Sequence, residues 1–212
     1  MPCSRPLQTA EPQEQAVNQT PSKPLILASA SPRRRAMLAD AGYDFQVVPS
    51  NVDESVFSPS GLSTEQYAER LALAKARDVA PRFADRLVLG ADTVVDCRGQ
   101  IIGKPADAAD AERITRLLFS RPHNVVTGIA LVRLSDNTQI LASDTTTVYP
   151  RKLTDAQIAA HIAGGAWRDK AGAYAIQENG DQFIERIDGS FTNVIGLPME
   201  MLETILADFL TL

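Results

Sequence analysis

The stretch Leu87-Val88-Leu89-Gly90-Ala91-Asp92-Thr93-Val94-Val95 decides the fold. Its apolar residues fall at odd and even positions alike, so both faces are buried, which marks a central strand with structure packed on each side. Upstream, Leu25–Ser29 is a short apolar run ending in small residues. A helix follows it, with Ser31 at the N-cap, Pro32 at the first helical position and Gly42 as the stop after Ala41. Phe45–Val48 reads as a strand and Asn51–Leu62 as an irregular loop. Ser63-Thr64-Glu65-Gln66 is a capping box that opens a helix to about Ala80. Downstream, Ile101–Gly103 pairs back across a turn at Arg98-Gly99, and Asp107–Phe119 is a helix. Val125–Leu134 and Gln139–Tyr149 form an antiparallel hairpin around Ser135-Asp136-Asn137. Thr154–Gln157 caps a helix to about Ile162 that Gly164-Gly165 ends, before Phe183–Ile187 and a terminal helix Met199–Leu210. Strands alternating with helices predict the α/β class: a mixed twisted β-sheet flanked by helices, in two lobes with a central cleft.

Composition sets the outer bounds. A chain of 212 residues is long enough for one large domain without a disulfide or metal staple. Only six of the first 23 residues are hydrophobic and none is aromatic. Residues 1–22 therefore read as a disordered tail and 23–212 as a single domain. Formal charge is −5, which argues against general binding to nucleic acid or to an anionic membrane. No run of 18 apolar residues is present to span a bilayer. Cys3 and Cys97 offer neither a disulfide framework nor a thiolate zinc site, which fits a cytoplasmic protein.

Four constellations carry chemistry. Ser29-Ala30-Ser31-Pro32-Arg33-Arg34-Arg35 sits at a strand-to-helix junction, where free backbone N–H groups attract anions. Three arginines in a first turn oppose the helix dipole, and a bound phosphate would turn that penalty into a site using Ser29, Ser31, Arg33 and Arg34. Asp92 interrupts an apolar strand, so it should face a cleft near a cation, a metal or a reacting water. Glu54, in the irregular loop, is a candidate second carboxylate. Lys75 continues the buried stripe Ala68, Leu71, Ala72 of its helix, pointing either past the core or into a cleft. Lys104 follows Gly103 in a segment that lacks the spacing and the Ser/Thr of a Walker loop, yet it can contact phosphate. Asp169–Gln177 reads more naturally as a tight packing turn, although Gln177 can read a base edge through its amide. His123 and His161 are isolated, with His161 expected on a solvated helix face, and Trp167 reads as a core or interface anchor.

Six stretches in order resemble the Maf family of nucleoside triphosphate pyrophosphatases: Leu27–Leu38, Leu89–Val95, Gly103–Pro105, His123–Leu131, Asp169–Gln177 and Gly189–Leu202. The resemblance implies the Maf/ITPase-like fold, hydrolysis between the α and β phosphates, and a divalent cation, magnesium or manganese. Ser31–Arg34 and Asp169–Gln177 are similar to the members that cleave dTTP and UTP, which implies Arg33, Thr93 and Gln177 as specificity positions and Asp92 as proton acceptor. Ala175 stands where that pattern usually has glycine. A sister group acting on 7-methyl-GTP is the alternative within the family.

The expected mechanism is metal-assisted attack of water on the α-phosphorus. Arg33 and Arg34 hold the polyphosphate, while Lys75 and Lys104 neutralise the leaving pyrophosphate. Asp92 or Glu54 binds the metal, and Asp92 is alternatively the base. Two further readings are a nucleotide-binding regulator, for instance of cell division, and a phosphate-binding scaffold acting through protein contacts. A homodimer is the default expectation for assembly.

Overall fold

Local signals place most elements where the residues themselves predict them. The computed structural model describes residues 23–168, 170–174 and 183–210. The expected tail at 1–22, and Asp169 and Gln177 of the candidate motif, lie outside the described residues. Strand β1 is Leu25–Leu27, and Ser31 caps α1 (Pro32–Asp40) by accepting from the Arg34 backbone N–H. Strand β2 is Phe45–Val47, and a 3-10 turn at Glu54–Val56 interrupts the following loop. Both bonds of the capping box at Ser63 form, starting α2 (Thr64–Val79). Strand β3 (Val88–Cys97) turns through Arg98 and Gly99 into the short β4 (Gln100–Ile102). Asp107 caps α3 (Ala108–Leu118), and β5 (His123–Arg133) makes the long hairpin with β6 (Thr138–Pro150). Thr154 caps α4 (Asp155–Gly164), which ends at Gly165 in a left-handed conformation. Strand β7 (Ile184–Asp188), the five-residue α5 (Phe191–Ile195) and α6 (Met199–Leu210) complete the chain. Helix α5 has no counterpart in the sequence expectations, because five residues are too few to show a periodicity.

Among the described residues the sheet has seven strands, in the order β2-β1-β3-β5-β6-β7, with β4 alongside β3. β1 runs parallel to β2 and β3, whereas β3/β4, β3/β5, β5/β6 and β6/β7 are antiparallel. Side chains alternate along β3. Val88 and Val94 belong to the face covered by α2, while Leu89, Ala91 and Val95 belong to the opposite face. Two lobes share this sheet. One buries Leu25, Leu27, Leu38, Leu89, Leu131 and Leu202 around α1 and α6; the other buries Ile114, Leu118, Trp167, Tyr174, Phe183 and Ile184 around α3. A fully buried side chain of this size contributes about 1.5–3 kcal/mol relative to an exposed one.

Two details position the cleft. β1 pairs with β3 only as far as Leu27 opposite Leu89, and pairing with β4 starts only at Val95, opposite Ile102. Residues 90–94 of β3 therefore have no strand partner on that edge among the described residues, and a gap opens in the sheet beyond the carboxyl end of β1. The second detail is the distance of α2 from the sheet. A Cβ on Gly90 would lie 2.1 Å from the Ala72 carbonyl oxygen, and one on Gly128 would lie 2.4 Å from the Ala68 carbonyl carbon. The Ala68, Ala72 and Ala76 face of α2 thus rests on bare glycine backbone, closer than any side chain between the layers would permit.

Gly90→Ala and Gly128→Ala should each lower unfolding free energy by about 2–3 kcal/mol, because the added methyl meets helix backbone that cannot swing aside. Gly103→Ala, with nothing within 4 Å of the new methyl, is the control and should stay within about 0.5 kcal/mol of the parent. Denaturant midpoints of the three variants measure this.

Candidate active site

The gap beside β3 opens into a cleft of about 580 Å³. Adjacent residues of β3 reach it from opposite faces of the sheet. Asp92 lies on the α2 side, where Lys75 Nζ is 2.5 Å from its Oδ1. Thr93 lies on the other side, where it accepts from Arg34 NH2 at 3.0 Å. The close seat of α2 on Gly90 and Gly128 is what carries Lys75, on the same helix turn as Ala72 and Ala76, within reach of Asp92. Lys75 therefore points into the cleft, the second of the two placements its stripe permitted.

Lys75 also binds Glu54 Oε1 at 2.8 Å, so one ammonium joins the 3-10 turn to β3. Lys104 stands 3.7 Å from the other Glu54 oxygen. The two carboxylates on this one lysine are pushed apart electrostatically. Burial raises the Asp92 carboxyl above its usual value, against the opposing charges of Lys75 and Arg34. Burial acts on Glu54 too, but the Lys75 hydrogen bond and charge, with Lys104 and Arg34, hold it below the usual carboxylate range. The two carboxylates on one lysine thus differ in the direction in which their surroundings shift them, Asp92 up and Glu54 down.

Arg34 is buried, and burial pulls its guanidinium below its usual value, with the Asp92 charge opposing. Its Nε donates to the Gly196 carbonyl at 2.7 Å, NH1 donates to Ser29 Oγ at 3.2 Å, and NH2 donates to Thr93. Five N–H groups less these three leave two for other acceptors. Ser29 accepts from Arg34 and from the Ser31 N–H, and Ser31 accepts from the Arg34 N–H. Each hydroxyl hydrogen is left without a protein acceptor among the described residues, so both can donate into the cleft. Arg33 lines the cleft with its Nε 3.3 Å from the Ile195 carbonyl, whereas Arg35 is exposed and outside it. The structure thus brings together Ser29, Ser31, Arg33, Arg34, Glu54, Lys75, Asp92, Thr93 and Lys104. Gln177 lies outside the described residues.

Some participants were not foreseen. Arg168 and Lys170 also line the cleft, so among the described residues six basic side chains face it against two carboxylates in a chain of net charge −5. The carbonyls of Ile195 and Gly196 orient Arg33 and Arg34, and a backbone carbonyl has no residue signature to read. His161 is a correction: it is buried, 2.8 Å from the Ala173 carbonyl, because α4 turns that residue toward the core rather than to solvent. His123 also has a partner, the Tyr174 hydroxyl at 2.8 Å from Nε2, while its Nδ1 faces the Arg121 carbonyl. That pattern makes Nε2 the acceptor and Nδ1 the protonated nitrogen. Trp167 is a core anchor, donating to the Ile162 carbonyl at 3.0 Å.

Sheet, gap and charge together define an α/β protein with a strongly basic cleft beside a buried carboxylate raised above its usual value. The model of the Maf-like protein family matches residues 24–209, and the chain belongs to that family. It is 48% identical over 175 residues to the dTTP/UTP pyrophosphatase of Geotalea uraniireducens, covering 82% of this chain and 89% of that one. It is 46% identical over 185 residues to the dTTP/UTP pyrophosphatase of Moorella thermoacetica, covering 87% and 94%. Among solved structures the Ham1 protein of Staphylococcus aureus matches with a TM-score of 0.50 at 14% identity, covering 88% of this chain and 99% of that one, which shows a shared fold.

Burial holds the His123 imidazole down at about 4, so it is neutral in the fold at pH 7. An unfolded histidine takes up its proton near 6.5, so the unfolded state binds more protons as pH falls through the window 6.5 to 4. Stability is therefore fully present above about pH 6.5 and drops by about 3 kcal/mol on the way to pH 4. His123→Gln should be less stable at pH 7 and lack this part of the slope, as urea unfolding across that range would reveal.

Proposed function

We propose that this Maf-family chain is a cytoplasmic nucleoside triphosphate pyrophosphatase that hydrolyses dTTP and UTP to the monophosphate and pyrophosphate. One observation carries the chemistry: Lys75 bridges an ionised Glu54 and a raised Asp92 at the edge of a strongly basic cleft. The base preference is supported by relatives of 46–48% identity that are named for dTTP and UTP.

Arg34 is the fixed phosphate anchor, since three protein hydrogen bonds hold its guanidinium in one orientation before any ligand arrives. Ser29 and Ser31 donate to phosphate oxygens, and Arg33 and Lys104 add charge around them. Asp92 takes a proton from the attacking water as the oxygen bonds to the α-phosphorus. The electron pair of the breaking anhydride bond leaves on pyrophosphate, where Lys75 and Lys104 offset the new charge.

The residues fit a divalent cation shared with substrate. Glu54 and Asp92 supply hard oxygen donors, and no group of three or more acidic, His or Cys ligands exists among the described residues. Magnesium characteristically uses one or two carboxylates and takes its remaining ligands from phosphate and water. With Asp92 as the base, Glu54 would hold magnesium or manganese together with phosphate oxygens and water, and the ion when bound would supply Lewis-acid charge neutralisation at the phosphates.

Asp92→Asn should cut kcat about 1,000-fold while changing KM by only a few-fold, read as pyrophosphate release from dTTP. Near-parental turnover would remove Asp92 from the role of base, and orthophosphate as first product would overturn the reaction. Chelation should abolish turnover, and added magnesium or manganese should restore it. Glu54→Gln should shift the metal titration to higher concentration.

A further inference from the structure

Beneath the cleft floor a line of hydroxyls has a fixed direction. Thr127 on β5 stands opposite Thr93 in the ladder and is fully buried. Its Oγ1 donates to the Asn193 carbonyl at 3.0 Å and lies 2.9 Å from Thr93 Oγ1. A hydroxyl has one hydrogen, and that of Thr127 goes to Asn193, so Thr93 is the donor in the contact between the two threonines. The other acceptor near Thr93, the Gly196 carbonyl at 3.4 Å, also belongs to the protein. Arg34 occupies one lone pair of Thr93. Thr93 is left with one lone pair and no hydrogen for a ligand, the reverse of Ser29 and Ser31.

The far end of the line is equally fixed. Asn193 is fully buried on α5, with Nδ2 donating to the Val125 carbonyl at 3.0 Å and to Thr146 Oγ1 at 2.9 Å. Its backbone N–H donates to Ser190 Oγ, capping α5. The carbonyl that receives the Thr127 hydrogen is therefore held by β5, β6 and the helix cap at once.

We propose that Thr127 is a positioning residue for base recognition: by taking the Thr93 hydrogen it makes Thr93 an obligate acceptor, matched to the imide N–H of uracil or thymine. A phosphate oxygen is itself an acceptor at neutral pH and gains nothing from such a group. A sugar hydroxyl can donate or accept and so is not sorted by it. Among pyrimidine N3 positions the polarity is fixed and opposite, N–H in uracil and thymine but a bare acceptor in cytosine, and only there does an obligate acceptor discriminate. This rests on the proposed pyrimidine triphosphate activity.

The test compares the full chain with Thr127→Val, which keeps shape and loses the hydroxyl, and Thr127→Ser, which keeps the hydroxyl. Calorimetric binding of dTMP and dCMP is measured alongside dTTP turnover. The parent should bind dTMP more tightly than dCMP. Thr127→Val should narrow that preference about tenfold, the effect of one hydrogen bond, and raise KM for dTTP more than it lowers kcat. Thr127→Ser should retain the preference. An unchanged preference in Thr127→Val, its equal loss in Thr127→Ser, or no preference in the parent would each overturn the proposal. A parent that releases no pyrophosphate, yet shows the dTMP preference and loses it in Thr127→Val, would reject the enzymatic reading and uphold the positioning role.

Discussion

The contact between the alanine face of α2 and the glycine backbone at Gly90 and Gly128 is the constraint on which the site depends. Helix and sheet layers normally stand apart by the length of the side chains between them. Here Ala68, Ala72 and Ala76 meet residues with no side chain, and the helix comes down onto the strands. Lys75 has a reach of one extended side chain. At an ordinary interlayer distance its ammonium would be drawn back from Asp92, leaving a buried carboxylate without its cation, which is among the costliest arrangements a core can hold. The glycines therefore act on the chemistry through distance alone, without touching a ligand.

The gap in the sheet uses strand geometry in a complementary way. Successive residues of a strand face opposite sides, so Asp92 and Thr93 would ordinarily serve separate cores. Because β1 has ended and β4 has not begun, the edge of β3 is open between them and both faces reach one cleft. The carboxylate–ammonium pairs occupy the α2 side, where Asp92 and Glu54 meet on Lys75. Oriented hydrogen bonding occupies the other side with Arg34, Thr127 and Gly196. Two consecutive residues thus divide two tasks.

Most of the element order was legible because its signals are local. Capping boxes at Ser63 and Thr154, the Ser31-Pro32 helix start and the turn at Arg98-Gly99 all act within four residues. Charged candidates were legible because a carboxylate or lysine in an apolar pattern demands a partner, and Lys75 and Asp92 are partners of each other. What the pattern did not disclose depends on contacts between residues distant in the chain. His161 looked solvated because the Ala173 carbonyl that binds it lies on another segment. The Thr127 contact was hidden for a related reason: a threonine in a β-rich run is ordinary, and only the strand register sets it against Thr93. Backbone carbonyls at Ile195 and Gly196 have no sequence signature of any kind.

The charge of the chain and the charge of its cleft point in opposite directions, and the structure explains how both hold. An overall −5 keeps polyanions away from the surface at large, while six basic side chains converge where the sheet opens. Converging cations repel one another, and desolvation of Arg34 adds to that cost. The hydrogen bonds of these arginines go to neutral acceptors, namely the carbonyls of Ile195 and Gly196 and the hydroxyls of Ser29 and Thr93, while the charges of Asp92 and Glu54 act on Arg34 without a direct hydrogen bond. A carboxylate would have matched Arg34 more strongly but would have cancelled the field an incoming polyphosphate must meet. Neutral acceptors fix the direction of the guanidinium and leave its charge available. Among the described residues the acids of the cleft, Glu54 and Asp92, sit together on Lys75, away from the arginines' hydrogen bonds, so the two sets of polar contacts have separate partners.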